Sequence, residues 1–295
     1  MRDLPMRDGL IKSLNVVTVD VAMQTGLARV ANKTLEFGLP RPNPFPALAL
    51  GTTEATPLQM AVAYATFANG GKKVEPAVIS SDAATSDRQV IAPATAYMIT
   101  DMLSDVINRG TARAARNQIP GTAVAGKTGT SRDGWFVGYT PNLVCAVWIG
   151  FDDNQQLGLT GAEAALPAWV EFMKTAIDLR PELGGKSFAQ PEGITIAEID
   201  PETDELASGK CPMHERVALL TAQAPKSECF RHNFYFDDRN DAANEIVHVA
   251  KSESRSSPKG QTKVQSKEFA LLRDTQVVTD RGGKRVLTND IKPLS

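Results

Sequence analysis

The sequence predicts an α+β domain in which an antiparallel sheet is flanked by helices. Three observations carry this: helical patterns dominate the chain up to Gly110, a three-strand antiparallel run follows between Ala123 and Ile149, and a further helical pattern packs back after it. The 295 residues are 42% hydrophobic and 22% charged, enough to bury a large core in one or two domains. With a formal net charge of -2, the balance of acid and base gives no support for a nucleic-acid partner. The longest apolar run, Leu143 to Phe151, is too short to cross a bilayer, so no membrane segment and no signal peptide are expected in this chain.

Taken in order, a helical pattern is under way within Met1 to Leu10, and an apolar segment from Val16 runs to Gly26. Leu27 to Phe37 reads as another helix, closed by Gly38 in the C-terminal glycine position. Ser13 and Asn15 lie in the break between helical segments, where both residue types are favoured as caps. Pro40 to Pro46 is a turn-rich linker, and Leu48-Ala-Leu-Gly51 ends in a glycine turn. Thr56-Pro57-Leu58-Gln59 is a capping box with proline at the first helical position, and Leu58, Ala61, Val62 and Ala65 should form the buried face of its helix. Pro93 opens a helix that should bury Ile99, Met102, Leu103 and Val106.

Ala123-Val-Ala-Gly-Lys-Thr-Gly-Thr-Ser131 reads as a strand that carries a cation and hydroxyls on either side of a glycine. Gly129 leaves one face bare, which lets another backbone come close, as a site for an extended peptide beside a strand requires. Trp135–Tyr139 and Leu143–Ile149 form a hairpin about Thr140-Pro141-Asn142; the second strand is apolar on both faces and should be central. A helix beginning at Pro167 should bury Trp169, Phe172, Met173 and Ala176. Ile194 to Ile199 is a strand before a turn at Asp200 to Asp204, and Gln276 to Leu287 has hairpin character around Gly282-Gly283. Composition divides the chain into residues 1–180, an extension with short strands at 181–250, and 251–295, whose Ser-, Lys- and Glu-rich first part reads as a disordered tether.

Taken together, Ser13-Leu-Asn15 and Lys127-Thr-Gly-Thr130, in this order and with their flanks, resemble the penicillin-binding proteins. The flanks are Lys12 to Val19, Ala63-Tyr-Ala-Thr-Phe-Ala-Asn-Gly-Gly71 and Gly134-Trp-Phe-Val-Gly-Tyr-Thr-Pro141, while Trp148-Ile-Gly-Phe-Asp-Asp153 is most similar to the bifunctional class A members. The resemblance covers roughly Pro5 to His232. It implies the transpeptidase fold shared with serine β-lactamases, an extracytoplasmic location, no cofactor and no metal. The implied chemistry is acyl transfer from D-Ala-D-Ala stem peptides of peptidoglycan, with β-lactams as mimics and the cell-wall synthesis machinery as partners. Ser13 would relay a proton to the leaving amine, Asn15 would hold the substrate amide, and Lys127 would supply a positive field. Thr128, Gly129 and Thr130 would bind the terminal carboxylate and supply one arm of the oxyanion hole.

The family's nucleophile motif, Ser-x-x-Lys ahead of Ser-x-Asn, is missing: twelve residues precede Ser13 and none is serine. Ser256-Ser-Pro-Lys259 has the spacing, but it follows the Lys-Thr-Gly strand and its proline opposes a helix there. These residues also hold no glycosyltransferase domain. The expectation is a C-terminal portion of a longer protein, inactive alone. The alternatives are a non-catalytic D-Ala-D-Ala and β-lactam binding module and, further behind, a serine β-lactamase relative, whose second motif is usually Ser-Asp-Asn. Cys211 and Cys229 each begin a Cys-x-x-His spacing that could hold zinc; the location implied by the resemblance ranks a disulfide between them ahead of free thiols and of metal.

Overall fold

A computed structural model describes residues 5–78 and 87–232, with the backbone of 276–279 and 285–288. The chain divides into two compact units, residues 1–207 with 213–228, and residues 208–212 with 229–295.

In the first unit, α1 (Met6–Ile11) and α2 (Asn15–Thr25) meet at a corner, followed by α3 (Leu27–Glu36), α4 (Pro57–Ala68) and α5 (Pro93–Asn108). Gly38 after α3 and Gly51 after a 3-10 turn at Pro46–Leu50 both have positive φ, the conformation that glycine enters without a Cβ penalty. The expected capping box forms: Thr56 Oγ1 accepts from the Gln59 N–H and Gln59 Oε1 from the Thr56 N–H.

The sheet is β1 (Ala125–Thr130), β2 (Gly134–Tyr139) and β3 (Val144–Ile149), antiparallel in that order. Thus β2, not β3, is central. The apolar content of β3 misled because edge strands also need one apolar face, and its outer residue Trp148 is 37% exposed. Phe136 and Gly138 of β2 face α6 (Gly161–Leu179), whereas Tyr139 turns the other way to meet Thr100 of α5 and Tyr64 of α4. The sheet is therefore sandwiched between α6 on one face and α4 with α5 on the other. Its core holds Trp169, Tyr139, Phe136, Ile11, Ile107 and Leu166, each at most 2% exposed. Burial with no charged partner pushes the Tyr64 phenol up to about 12.

Two helices differ from their expected faces. α6 begins six residues before Pro167, because Thr160 and Glu163 form a second capping box that nucleates it. Pro167 sits within the helix. Trp169 and Met173 are buried as expected, but Phe172 is 51% exposed and Ala176 only partly covered. In α4, Leu58 is 62% exposed and the buried positions are Ala63 and Thr66, with Tyr64 and Phe67 packed on the core. The aromatic residues, which bury more area than Ala61 or Val62, set the rotation of the helix.

Beyond α6, β4 (Ile194–Ile199) occupies the expected residues and pairs antiparallel with β5 (Glu215–Leu220). Asp101 of α5 accepts from the Ala218 N–H of β5 at 3.0 Å and from Arg7 of α1 at 2.8 Å. Arg7 also reaches Asp105 at 2.7 Å, and Arg109 joins Asp105 to Glu215. This network, mostly shielded from solvent, fixes α1 and the β4–β5 hairpin to α5. In the second unit, β6 (Gln276–Thr279) pairs antiparallel with β7 (Arg285–Thr288), as the hairpin reading expects. The expected tether at 251–267 lies outside the described residues. No helix among the described residues is long and apolar enough to cross a membrane.

Candidate active site

The corner between α1 and α2 is held against the end of α5. A Cβ at Gly110 would lie 2.5 Å from the Ile11 carbonyl oxygen, so only glycine lets the two backbones meet. Ser13 occupies the corner with φ of 56°, the left-handed region that a non-glycine residue enters at a cost of about 1 kcal/mol. Neither Ser13 nor Asn15 is a cap: Leu14 holds the N-cap position of α2 and makes no side-chain cap bond, and Asn15 opens the helix. Both side chains are exposed.

Lys127 comes to this corner from 114 residues further along the chain. Its Nζ donates to Ser13 Oγ at 2.9 Å and to the Thr128 carbonyl at 2.8 Å. Burial lowers its pKa to about 8, so near neutral pH the ammonium is charged but only just so. The structure thus brings Ser13 and Lys127 together, with Asn15 two residues after Ser13 at the start of α2.

β1 is an edge strand of the sheet, and Lys127, Thr128, Gly129 and Thr130 all line one cavity of about 860 Å3. The same cavity is lined by Leu39, Pro40, Leu48 and Leu50, by residues 51–55, and by Met60 and Tyr64 of α4. Thr128 Oγ1 lies 2.7 Å from Thr111 Oγ1, and Thr130 Oγ1 accepts the Gly161 N–H at 2.9 Å. Each hydroxyl is therefore oriented by a neighbour. A hydroxyl that accepts from an N–H keeps its proton for a second acceptor, so Thr130 can still donate. At Gly129 a Cβ would stand 3.1 Å from Cβ of Trp135, its cross-strand partner, so the missing side chain also lets Trp135 pack closely against β1.

One part of the wall escaped sequence reasoning. Asp133 Oδ2 accepts from both indole N–H groups, Trp135 at 3.0 Å and Trp148 at 2.6 Å, while Oδ1 accepts from Ser131 Oγ at 2.5 Å. Partial burial works to raise the Asp133 pKa, but the bonds from Ser131, Trp148 and Trp135 outweigh it and hold the carboxylate below its ordinary range. The carboxylate locks the turn that follows Thr130 and the aromatic pair beside it. The only sequence cue was a serine two residues before an aspartate in a turn.

The N-terminus of α6 is equally constrained. A Cβ at Gly161 would meet the Gly129 carbonyl oxygen at 2.2 Å and that of Trp135 at 2.4 Å. Gly161→Val should therefore cost about 3 kcal/mol, the upper end of overpacking, as a lowered urea midpoint at unchanged slope. No loss of stability would mean that α6 is not seated against β1 in this way.

An edge strand bearing Lys-Thr-Gly-Thr, a Ser-x-Asn corner bonded to its lysine and a helix at the strand's end come together in the first unit. The family described as "Penicillin binding protein transpeptidase domain" matches residues 1–171. The chain belongs to that family. It is 33% identical over 277 residues to penicillin-binding protein 1A of Pseudomonas aeruginosa, covering 71% of this chain and 33% of the relative. It is 36% identical over 214 residues to penicillin-binding protein 1A of Neisseria lactamica, covering 65% of this chain and 26% of the relative. The crystal structure of penicillin-binding protein 1A from Haemophilus influenzae superposes with a TM-score of 0.66 at 27% identity, over 76% of this chain and 41% of that one. The chain spans about a third or less of the length of these curated relatives.

Proposed function

We propose that this chain carries the Lys-Thr-Gly side of a serine-type D,D-transpeptidase site that builds peptidoglycan outside the cytoplasm, among the other proteins of cell-wall synthesis. The observation that carries the reading is the 2.9 Å contact between Lys127 Nζ and Ser13 Oγ, beside an open strand edge on a large cavity. A stem peptide ending in D-Ala-D-Ala, or a β-lactam, lies along β1 as an added strand. Its terminal carboxylate meets the Thr128 and Thr130 hydroxyls in the field of Lys127. The Asn15 amide holds the substrate amide, and the Thr130 N–H is one donor to the carbonyl oxygen that becomes negative during acyl transfer. With the Lys127 ammonium beside its oxygen, Ser13 passes a proton to the departing amine. The attacking serine precedes Ser13 in the family's motif order and is not among these residues.

Calorimetric titration with diacetyl-Lys-D-Ala-D-Ala against its L-Ala-L-Ala isomer tests the binding half of this reading. The D,D peptide should bind more tightly, and Lys127→Ala should weaken it roughly 10- to 150-fold, the worth of a charge-assisted hydrogen bond. Equal binding of the two isomers, or an unaffected Lys127→Ala variant, would remove the proposal.

The pH dependence has a definite sign. Lys127 is fully protonated well below its pKa of about 8 and loses its charge above it. Affinity for an anionic peptide terminus should therefore be flat toward pH ~6.5 and fall as pH rises through 8, by up to tenfold per unit, as the proton is lost. The peptide amide of the same ligand, which has no terminal charge, should show a much flatter profile.

A further inference from the structure

We propose that Cys211, Cys229 and His232 form a zinc-binding site in the second unit, a reading independent of that of the peptide cleft. The Sγ atoms of the two cysteines and a ring nitrogen of His232 all lie within 4.8 Å of one another. Around a tetrahedral zinc ion, bond lengths of 2.0–2.3 Å put neighbouring donor atoms about 3.5–3.8 Å apart, so at most ~1 Å of contraction closes the set. Two thiols and an imidazole are the donors that zinc prefers, and they leave one position for a fourth ligand.

The surroundings suit a bound ion. Cys229 is fully buried and Cys211 is 8% exposed. Burial alone is ordinary for cysteine, but the convergence of both with a histidine is not. Cys229-Phe-Arg-His232 folds back on itself, placing Nδ1 of His232 3.4 Å from Cys229 Sγ. Cys211 closes a turn with Ser208, whose carbonyl accepts the Cys211 N–H at 3.0 Å. That turn aims the Ser208 N–H at Cys211 Sγ from 3.3 Å and sets the Ser208 hydroxyl oxygen 3.4 Å from the same sulfur. N–H and O–H donors directed at sulfur are the outer contacts that orient a metal-bound thiolate. No disulfide joins the cysteines among the described residues, in contrast to the bridge that the implied location favoured. The structure also chooses between the two Cys-x-x-His spacings: His214 stands 3.5 Å from Glu198 instead, with 38% of its side chain exposed.

Binding would release the two thiol protons, with Zn2+ taking two thiolates and a neutral imidazole, so the step involves no change of oxidation state. The ion would tie the turn at 208–212 to the segment at 229–232, on either side of β5 in the sequence.

The test uses the untagged 295-residue chain, purified without chelator. Elemental analysis should find about one zinc per chain, and Co2+ replacing it should give the visible bands of a tetrahedral thiolate site. Cys211→Ser, Cys229→Ser and His232→Ala should each abolish stoichiometric zinc, while His214→Ala keeps it. Ser208→Ala should weaken binding roughly tenfold in a chelator competition. The Co2+ spectrum of the unmutated chain keeps the proposal testable if a variant fails to fold. An intact mass two hydrogens light with no zinc would show a disulfide and overturn it. So would reduced thiols that take up no Co2+, or full zinc retention in His232→Ala.

Discussion

Trp169→Ala should destabilise the first unit by about 3–5 kcal/mol, a large share of the 5–15 kcal/mol that holds an ordinary domain folded. Trp169 is fully buried, and its ring meets Phe136 edge-on with centroids 4.8 Å apart. Its Nε1 donates to the carbonyls of Cys145 at 3.2 Å and Gly138 at 3.4 Å, which face each other across β2 and β3. A Cβ on Gly138 would stand 2.7 Å from the indole, so the sheet is moulded to this side chain and cannot easily collapse into the space it leaves. Trp169→Phe keeps most of the volume and loses the N–H, and should cost about 1–2 kcal/mol. Urea titration followed by far-UV circular dichroism reads both. Equal small losses would mean that the α6 face is looser than described.

A labelled penicillin should leave no covalent adduct on this chain. Removing the attacking serine from a serine acyl-transfer enzyme lowers turnover by a factor on the order of 10^6, far below what a gel or an intact mass detects. The Lys127 ammonium, with a pKa of about 8, donates to Ser13 Oγ at 2.9 Å, which makes Ser13 the competing candidate for the nucleophile. The experiment therefore separates two roles. A polypeptide that adds Ser-x-x-Lys ahead of Ser13 should acylate at that added serine, and Ser13→Ala in it should slow turnover while leaving the site of labelling unchanged. A stable adduct on Ser13 in the 295-residue chain would reassign the nucleophile.

The order of elements was legible in the sequence because caps and turn residues mark it locally. Thr56 with Gln59, Gly38, Gly51 and the Pro141 turn all act where the chain pattern puts them. Which face each element buries was harder to read, since that is decided by neighbours distant in sequence. The rotation of α4 follows Tyr64 and Phe67 meeting Tyr139 and Phe37, and no periodicity within α4 reveals those partners. The start of α6 was readable in Thr160-Gly-Ala-Glu163, but Pro167 is the louder local signal and drew the boundary to itself. β5 went unread because Glu215-Arg-Val-Ala-Leu-Leu220 lacks clean alternation and takes its shape from pairing with β4. In the site, Ser13 and Lys127 share no local pattern, and only the family resemblance linked them before their contact was visible. Asp133 had no such help: its importance arises from two indoles that converge only once β2 and β3 pair.

The free side of β1 has a consequence for what the cleft can discriminate. Amide and carbonyl groups along a sheet border are the same whatever side chains the guest carries, so that border rewards straightness and is indifferent to composition. On the proposed reading, selectivity is concentrated at one end of the guest, where a single ammonium and two hydroxyls test for a negative terminus. A cleft built this way admits chemically diverse molecules that share a flat, extended outline and one acidic end, and mimicry of that outline is its inherent vulnerability.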